Sequence, residues 1–165
     1  MRRAAAMMIG LAAVASTLAA QDEEGIAVGA LAPAVTVPDL AGRPVDLSRW
    51  LGQRPVLLEF WATWCTSCQA MMPRLAAMKQ KFGDAVKFIG VNVTVSETRA
   101  GVEAYVREHR VPFQTLYDAE GVAARAYNPP ATSYIVIVDR RGRVVYTGAG
   151  GTQNLEPALR QVTGR

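Results

Sequence analysis

Residues 56–75 read VLLEFWATWCTSCQAMMPRL, and this stretch contains the only two cysteines of the chain, Cys65 and Cys68. Its first part, together with Pro55, is an almost uninterrupted apolar run, as a central strand buried on both faces requires. From Cys65 to Phe82 the spacing turns helical. Met72, Leu75, Ala76 and Met78 recur at three- and four-residue intervals and Gly83 supplies a stop. Pro73 falls inside this helix and is expected to kink it.

A strand that runs directly into a helix places Cys65 at the helix N-terminus, where unpaired backbone N–H groups and the helix dipole favour a thiolate. Cys65 is therefore expected to have a lowered pKa and to act as a nucleophile. One turn later, Cys68 lies on the same face, within disulfide reach and more deeply buried. That arrangement divides the labour: Cys65 attacks a substrate disulfide and Cys68 resolves the mixed disulfide. A purely structural bridge is a poor competitor, because closing so short a loop removes little unfolded-state entropy.

Glu59 lies in the middle of the buried strand, six residues before Cys65 and on the face to which Trp61 points. A carboxylate in an apolar strand is costly without a partner or a task, and burial should raise its pKa. Two readings follow. It accepts the proton of Cys68 when that thiol attacks, or it forms an ion pair with an arginine.

Around this centre the chain alternates short β-rich runs with helical stretches. Residues 35–37 and 44–47 flank the turn DLAGR and read as a small hairpin. VKFIGVNV is the next strand, and Thr94 to Glu97 has the form of a capping box opening a helix through His109. SYIVIVDRRGRVVYTG closes the sheet as a hairpin, and a short helix over about 154–162 ends the chain. The pattern implies an α/β domain with a central mixed sheet and helices on both faces.

The chain has 165 residues, half of them hydrophobic, which suffices for one domain with a real core. It opens MRRAAAMMIGLAAVASTLAAQDEEG, with two arginines, an apolar run and small residues before an acidic stretch, the pattern of a secretory signal. Cleavage after Ala19 or Ala20 is one reading and an uncleaved membrane anchor the other, since a spanning helix needs about 20 apolar residues. The expected organisation is a signal peptide or anchor over 1–20, a linker over 21–30 and the folded domain over 31–165. Either reading exports the domain to an oxidising, extracytoplasmic compartment that permits disulfide chemistry. Net charge is +4, and removing Arg2 and Arg3 leaves +2. The densest basic cluster, Arg140, Arg141 and Arg143, flanks Gly142 and reads as a solvated turn, so nucleic acid is not an expected partner.

LLEFWATWCTSC resembles the active-site strand and helix of the thioredoxin superfamily, with Glu59 where thioredoxins carry a buried acid. The preceding segment, 28–65, is similar to the N-terminal hairpin extension of the exported TlpA/ResA-like thiol-disulfide oxidoreductases. The likeness continues through IGVNVT, VPFQTLYDAEGVAARAY and VDRRGRVVYTGAGG, so it covers about residues 28–151. The resemblance implies a thioredoxin fold with an N-terminal hairpin. It also implies dithiol–disulfide exchange with protein substrates, commonly as a reductant outside the cytoplasm and sometimes in cytochrome c maturation, with a membrane thiol reductase as electron donor. No cofactor is implied. Trp64, Thr66 and Ser67 would border the substrate, and the latter two would tune the potential.

The chain departs from this family at the cis-proline that normally faces the cysteines. Counting without gaps from Tyr127 and back from Asp139, that slot holds Ser133, beside Thr132. Using Pro130 instead lengthens the following strand by three residues and puts Pro129, which has no N–H, where a substrate backbone needs a donor. The expected substrate-facing residues are thus Thr132 and Ser133, with Pro130 as the alternative.

Other chemistries fit less well. A peroxiredoxin needs a proline and a threonine where Leu58 and Ala62 stand. Copper-delivery relatives use three residues between the cysteines and a nearby histidine, whereas here there are two and the only histidine is His109, at a helix end. A closed zinc site needs four ligands, which Cys and His cannot supply here. No metal ligands are assigned. Met71 and Met72 follow Cys68 closely enough to be soft ligands, although helical spacing makes Met72 core. The competing function is a Cu(I)-binding metallochaperone of the same fold.

Overall fold

A computed structural model describes residues 25–165 of the chain. The expected signal segment over 1–20, and the first four residues of the linker, lie outside the described residues.

Among the described residues, seven strands and four α-helices follow one another as β1 (Thr36–Pro38), β2 (Pro44–Asp46), β3 (Val56–Trp61), α1 (Thr66–Phe82), β4 (Lys87–Asn92), α2 (Arg99–Glu108), β5 (Gln114–Tyr117), α3 (Val122–Tyr127), β6 (Tyr134–Val138), β7 (Val144–Ala149) and α4 (Glu156–Thr163). β1 and β2 pair as the expected hairpin, Val37 opposite Val45. The other five form one mixed sheet in the order β5-β4-β3-β6-β7, parallel from β5 to β3 and antiparallel from β3 to β7. This is the mixed sheet with flanking helices of a thioredoxin fold, with the hairpin set before it.

The apolar run at 56–61 becomes the central strand because all six of its residues are buried. Its alternation serves two cores. Leu57 and Trp61 point to one face with Cys65, Cys68, Met71, Leu75, Ile135 and Leu159, so α1 and α4 cover that side. Val56, Leu58 and Phe60 point to the other with Val37, Val45, Tyr127 and Val136, so the hairpin and α3 cover it.

Two local expectations are corrected. The buried stripe of α1 is Cys68, Met71, Leu75 and Phe82, so Met71 is core, whereas Met72 is half-buried and Ala76 exposed. Pro73 lies inside the helix, as expected. The capping box at 94–97 does not form. α2 starts at Arg99, and its N-cap is Thr98, whose hydroxyl accepts the Gly101 N–H at 3.2 Å. Thr94 and Ser96 instead take left-handed backbone, with φ of 58° and 57°, and Glu97 is engaged elsewhere.

Candidate redox site

The site is built at the carboxyl end of β3. After Trp61 the chain makes one turn, closed by the Cys65 N–H to the Ala62 carbonyl at 3.2 Å, and enters α1. Cys65 is the N-cap of that helix, in extended backbone, and its Sγ accepts the Cys68 N–H at 3.0 Å. A sulfur so placed faces the free amides of the first turn, which favours the thiolate when the pair is reduced. Cys65 and Cys68 are joined in a disulfide with their Cα atoms 5.2 Å apart. Both cysteines are buried, Cys65 4% and Cys68 1% exposed.

The surroundings bring most of the expected residues together. Trp64 is half exposed beside Cys65, its indole Nε1–H donating to the Val95 carbonyl at 2.8 Å. Thr66 is exposed and Ser67 half-buried. Gly151 lies against Ser67: a Cβ there would come 2.9 Å from the Ser67 carbonyl oxygen. Ser133 is tied to Gly150, the chain neighbour of Gly151. It is fully buried at the start of β6 with φ of 61°, its Oγ–H donates to the Gly150 carbonyl at 3.3 Å, and its own carbonyl accepts from Gly150 N–H at 3.2 Å and Gln153 Nε2–H at 3.0 Å. Thr132 is half-buried beside it. Pro130 is exposed, and no peptide bond among the described residues is cis.

Glu59 is fully buried in the middle of β3, between Gly90 of β4 and Ile135 of β6. Neither carboxylate oxygen has a hydrogen-bond partner among the described residues, so the arginine ion pair is absent among them. Burial pushes its pKa up to about 8. Two more unpartnered polar atoms, Trp61 Nε1 and Thr115 Oγ1, belong to the same sheet face, since Gly90 stands in register between Glu59 and Thr115. Gly90 must lack a side chain: a Cβ would meet the Phe113 ring and stand 2.8 Å from Trp61 Nε1.

His109 caps the C-terminus of α2 in solvent, its ring 4.1 Å from that of Tyr105. Among the described residues no group of three or more His, Cys, Asp or Glu is placed to hold a metal ion.

Sequence reasoning missed a set of contacts behind the cysteines. Glu97 Oε1 accepts the Thr63 N–H at 2.8 Å, and Gln69 Nε2–H donates to the Thr63 carbonyl at 3.1 Å. Glu97 reads in sequence as the last letter of a capping box, and its partner is 34 residues away, so no local pattern discloses it.

The family model described as AhpC/TSA matches residues 28–147. Thioredoxin-like protein YneN of Bacillus subtilis (strain 168) is 30% identical over 140 residues, covering 83% of this chain and 81% of its own. Thiol-disulfide oxidoreductase ResA of Geobacillus kaustophilus (strain HTA426) is 29% identical over 168 residues, 97% of this chain and 94% of its own. Among solved structures, a putative thiol:disulfide interchange protein DsbE from Chlorobium tepidum superposes with a TM-score of 0.71 at 26% identity, over 82% of this chain and 94% of that one.

Proposed function

We propose, for a chain that belongs to the AhpC/TSA family and is a ResA-like thiol-disulfide oxidoreductase of the thioredoxin superfamily, that Cys65 and Cys68 are its working pair and that it reduces protein disulfides outside the cytoplasm. The observation that carries this reading is the placement of Cys65 Sγ at the N-cap of α1, accepting the Cys68 amide beside the half-exposed Trp64.

In the reduced protein the Cys65 thiolate attacks one sulfur of a substrate disulfide, forming a mixed disulfide and releasing the first substrate thiolate. Cys68 then loses its proton and attacks Cys65 Sγ, which forms the Cys65–Cys68 disulfide and releases the second substrate thiolate. Two electrons pass to the substrate. A dithiol reductant must return them, and a membrane thiol reductase fits an exported domain.

Glu59, in the ionised fraction that grows as pH approaches 8, is the base for the second step. Its pKa of about 8 lies close to that of an ordinary thiol, about 8.5, so proton transfer between the two is nearly balanced in free energy. Trp64, Thr66 and Ser67 border the incoming peptide, and Thr132 and Ser133 fill the place of the family's cis-proline. The buried Ser133, tied to Gly150 next to the glycine that touches Ser67, supports that assignment over the exposed Pro130.

The leader pattern over 1–20 supports export, and cytochrome c maturation is the service that an exported reductant of this kind would perform. No helix among the described residues is long and apolar enough to cross a membrane.

The test is alkylation of the reduced protein. Iodoacetamide should modify Cys65 well below pH 8 while Cys68 stays protected, and Cys68→Ser should trap substrates as mixed disulfides. Prior reaction of Cys68, or titration of both thiols near the ordinary value, overturns the assignment. Equilibration with glutathione gives the direction: a pair more reducing than glutathione supports the reductant role.

A further inference from the structure

The turn that delivers Cys65 to the head of α1 has three residues, Ala62, Thr63 and Trp64, and a loop from a different part of the chain holds two of them. Thr63 N–H donates to Glu97 Oε1 at 2.8 Å, and Trp64 Nε1–H donates to the Val95 carbonyl at 2.8 Å. The loop is itself held from below. Asn92, fully buried at the end of β4, donates Nδ2–H to Glu97 Oε2 at 2.7 Å and accepts the Thr94 N–H on Oδ1 at 3.1 Å. Non-glycine residues in left-handed backbone at 94 and 96 show that this loop is bent against local preference and needs such anchors.

We propose that Glu97 is the positioning residue of the redox site, bridging Asn92 to Thr63 so that Cys65 Sγ is held at the N-cap of α1. The proposal rests on the reading of Cys65 and Cys68 as the working pair. It follows from a donor and acceptor count. Both groups that face Glu97 are donors, the Thr63 amide and the Asn92 Nδ2. Asn92 cannot turn over to offer its oxygen, because Oδ1 already takes the Thr94 N–H. Only a side chain with two acceptors completes the bridge. Glutamine, the same in length, would set an NH2 group against one donor or the other.

The same count prescribes a repair. With Glu97→Gln and Asn92→Asp combined, the carboxylate at position 92 would accept the amide N–H from position 97 on one oxygen and the Thr94 N–H on the other. The amide oxygen at position 97 would still accept from Thr63. Glu97→Gln and Asn92→Asp should therefore each disturb the turn, and the double variant should restore it. Thr98→Ala, which removes the α2 cap without touching the bridge, serves as a control for stability loss alone.

The measurement is the pH dependence of iodoacetamide alkylation of Cys65 in the reduced full-length protein, with the glutathione equilibrium of the pair as a second readout. Each single variant should slow alkylation at pH 7 by about fivefold, on the order of one typical hydrogen bond, and both should move the Cys65 midpoint upward. The double variant should return to within about twofold of wild type, and Thr98→Ala should lower the melting temperature without shifting the midpoint. Opposite shifts in the two single variants would mean that the charge at 97 acts through space and would overturn the positioning role. So would unchanged midpoints accompanied by lowered melting temperatures, the mark of a brace for the fold alone. A wild-type Cys65 that titrates like a free thiol sinks the redox reading and this proposal together. A perturbed wild-type value with unmoved variants sinks this proposal only.

Discussion

Glu59 in the centre of the sheet and Asp39 at the rim of the β1–β2 hairpin are both buried carboxyl groups, and they are driven in opposite directions. Burial is the largest single influence on each, and it raises both. At Glu59 nothing opposes it and the pKa rises to about 8. At Asp39 the Arg43 N–H reaches Oδ1 at 2.9 Å and the Arg43 guanidinium reaches Oδ2 at 2.8–2.9 Å, and together these hold the carboxyl below its usual value. The contrast separates two uses of a buried acid. Asp39 is a satisfied hydrogen-bond acceptor that closes a turn. Glu59 is left without a hydrogen-bond partner among the described residues, at a cost to stability, and its raised pKa suits the proton-accepting task proposed for it.

The largest effect expected from this contrast is on stability against pH. Glu59 has a raised folded-state pKa, so between its ordinary value of 4.5 and about 8 the folded protein keeps a proton that the unfolded chain releases. Stability is then complete below 4.5 and falls as pH rises through this window, by up to about 1.4 kcal/mol per pH unit. Urea unfolding at pH 5, 6.5 and 8 should show the decline in the wild type and a flatter dependence in Glu59→Gln. Asp39 acts with the opposite sign: its contribution is present above 3.8 and lost only as pH falls below that value. Equal slopes for wild type and Glu59→Gln would erase the distinction between the two acids.

A smaller effect is kinetic. Glu59→Gln removes the exchangeable proton at nearly constant volume, and disulfide reduction at pH 7 should slow by about tenfold, or about 1.4 kcal/mol of barrier. On the proposal that the proton comes from Cys68, alkylation of Cys65 should be unchanged in this variant. Slowing of both steps would place Glu59 in general support of the site, and an unchanged rate across pH 6 to 8 would leave it a structural residue.

Much of this is legible in the sequence because the signals are extreme. An apolar run broken by a single carboxylate identifies both the central strand and Glu59, and the Cys-x-x-Cys after it identifies the helix start. The one-residue error on α1 has a simple cause: Met71 and Met72 are adjacent and equally apolar, and only the position of Cys68 on the buried stripe, followed at 71 and 75, decides between them. β5 and α3, four and six residues long, are too short to show a period and are marked only by family likeness. The 94–97 segment misleads for a deeper reason. Its pattern describes a local bond that Glu97 could make, but the bond it makes is to Thr63, and tertiary partners override local ones without leaving a trace in spacing. Counting places Ser133 where a cis-proline usually stands. Its left-handed backbone and its tie to Gly150 are properties of the packed loop, and the residue type does not announce them.

The smallest effect should come from Asp39, and it sharpens the comparison because it is small. Asp39→Asn keeps one oxygen for the Arg43 N–H and turns an amide toward the guanidinium, so the ion pair is lost while the turn bond at 39–43 survives. The Arg43 side chain is 79% exposed, and solvent already screens the pair, so the loss should be below about 1 kcal/mol in urea unfolding at pH 7. The Arg99 guanidinium continues to hold the hairpin through the Asp39 backbone carbonyl at 2.9 Å, which the substitution leaves in place. Thiol alkylation and disulfide reduction should match wild type, since β1 and β2 pack on the sheet face opposite the cysteines. If Asp39→Asn instead slowed disulfide reduction as much as Glu59→Gln does, the two sheet faces would be coupled, and a partnered acid would have proved as important to the chemistry as an unpartnered one.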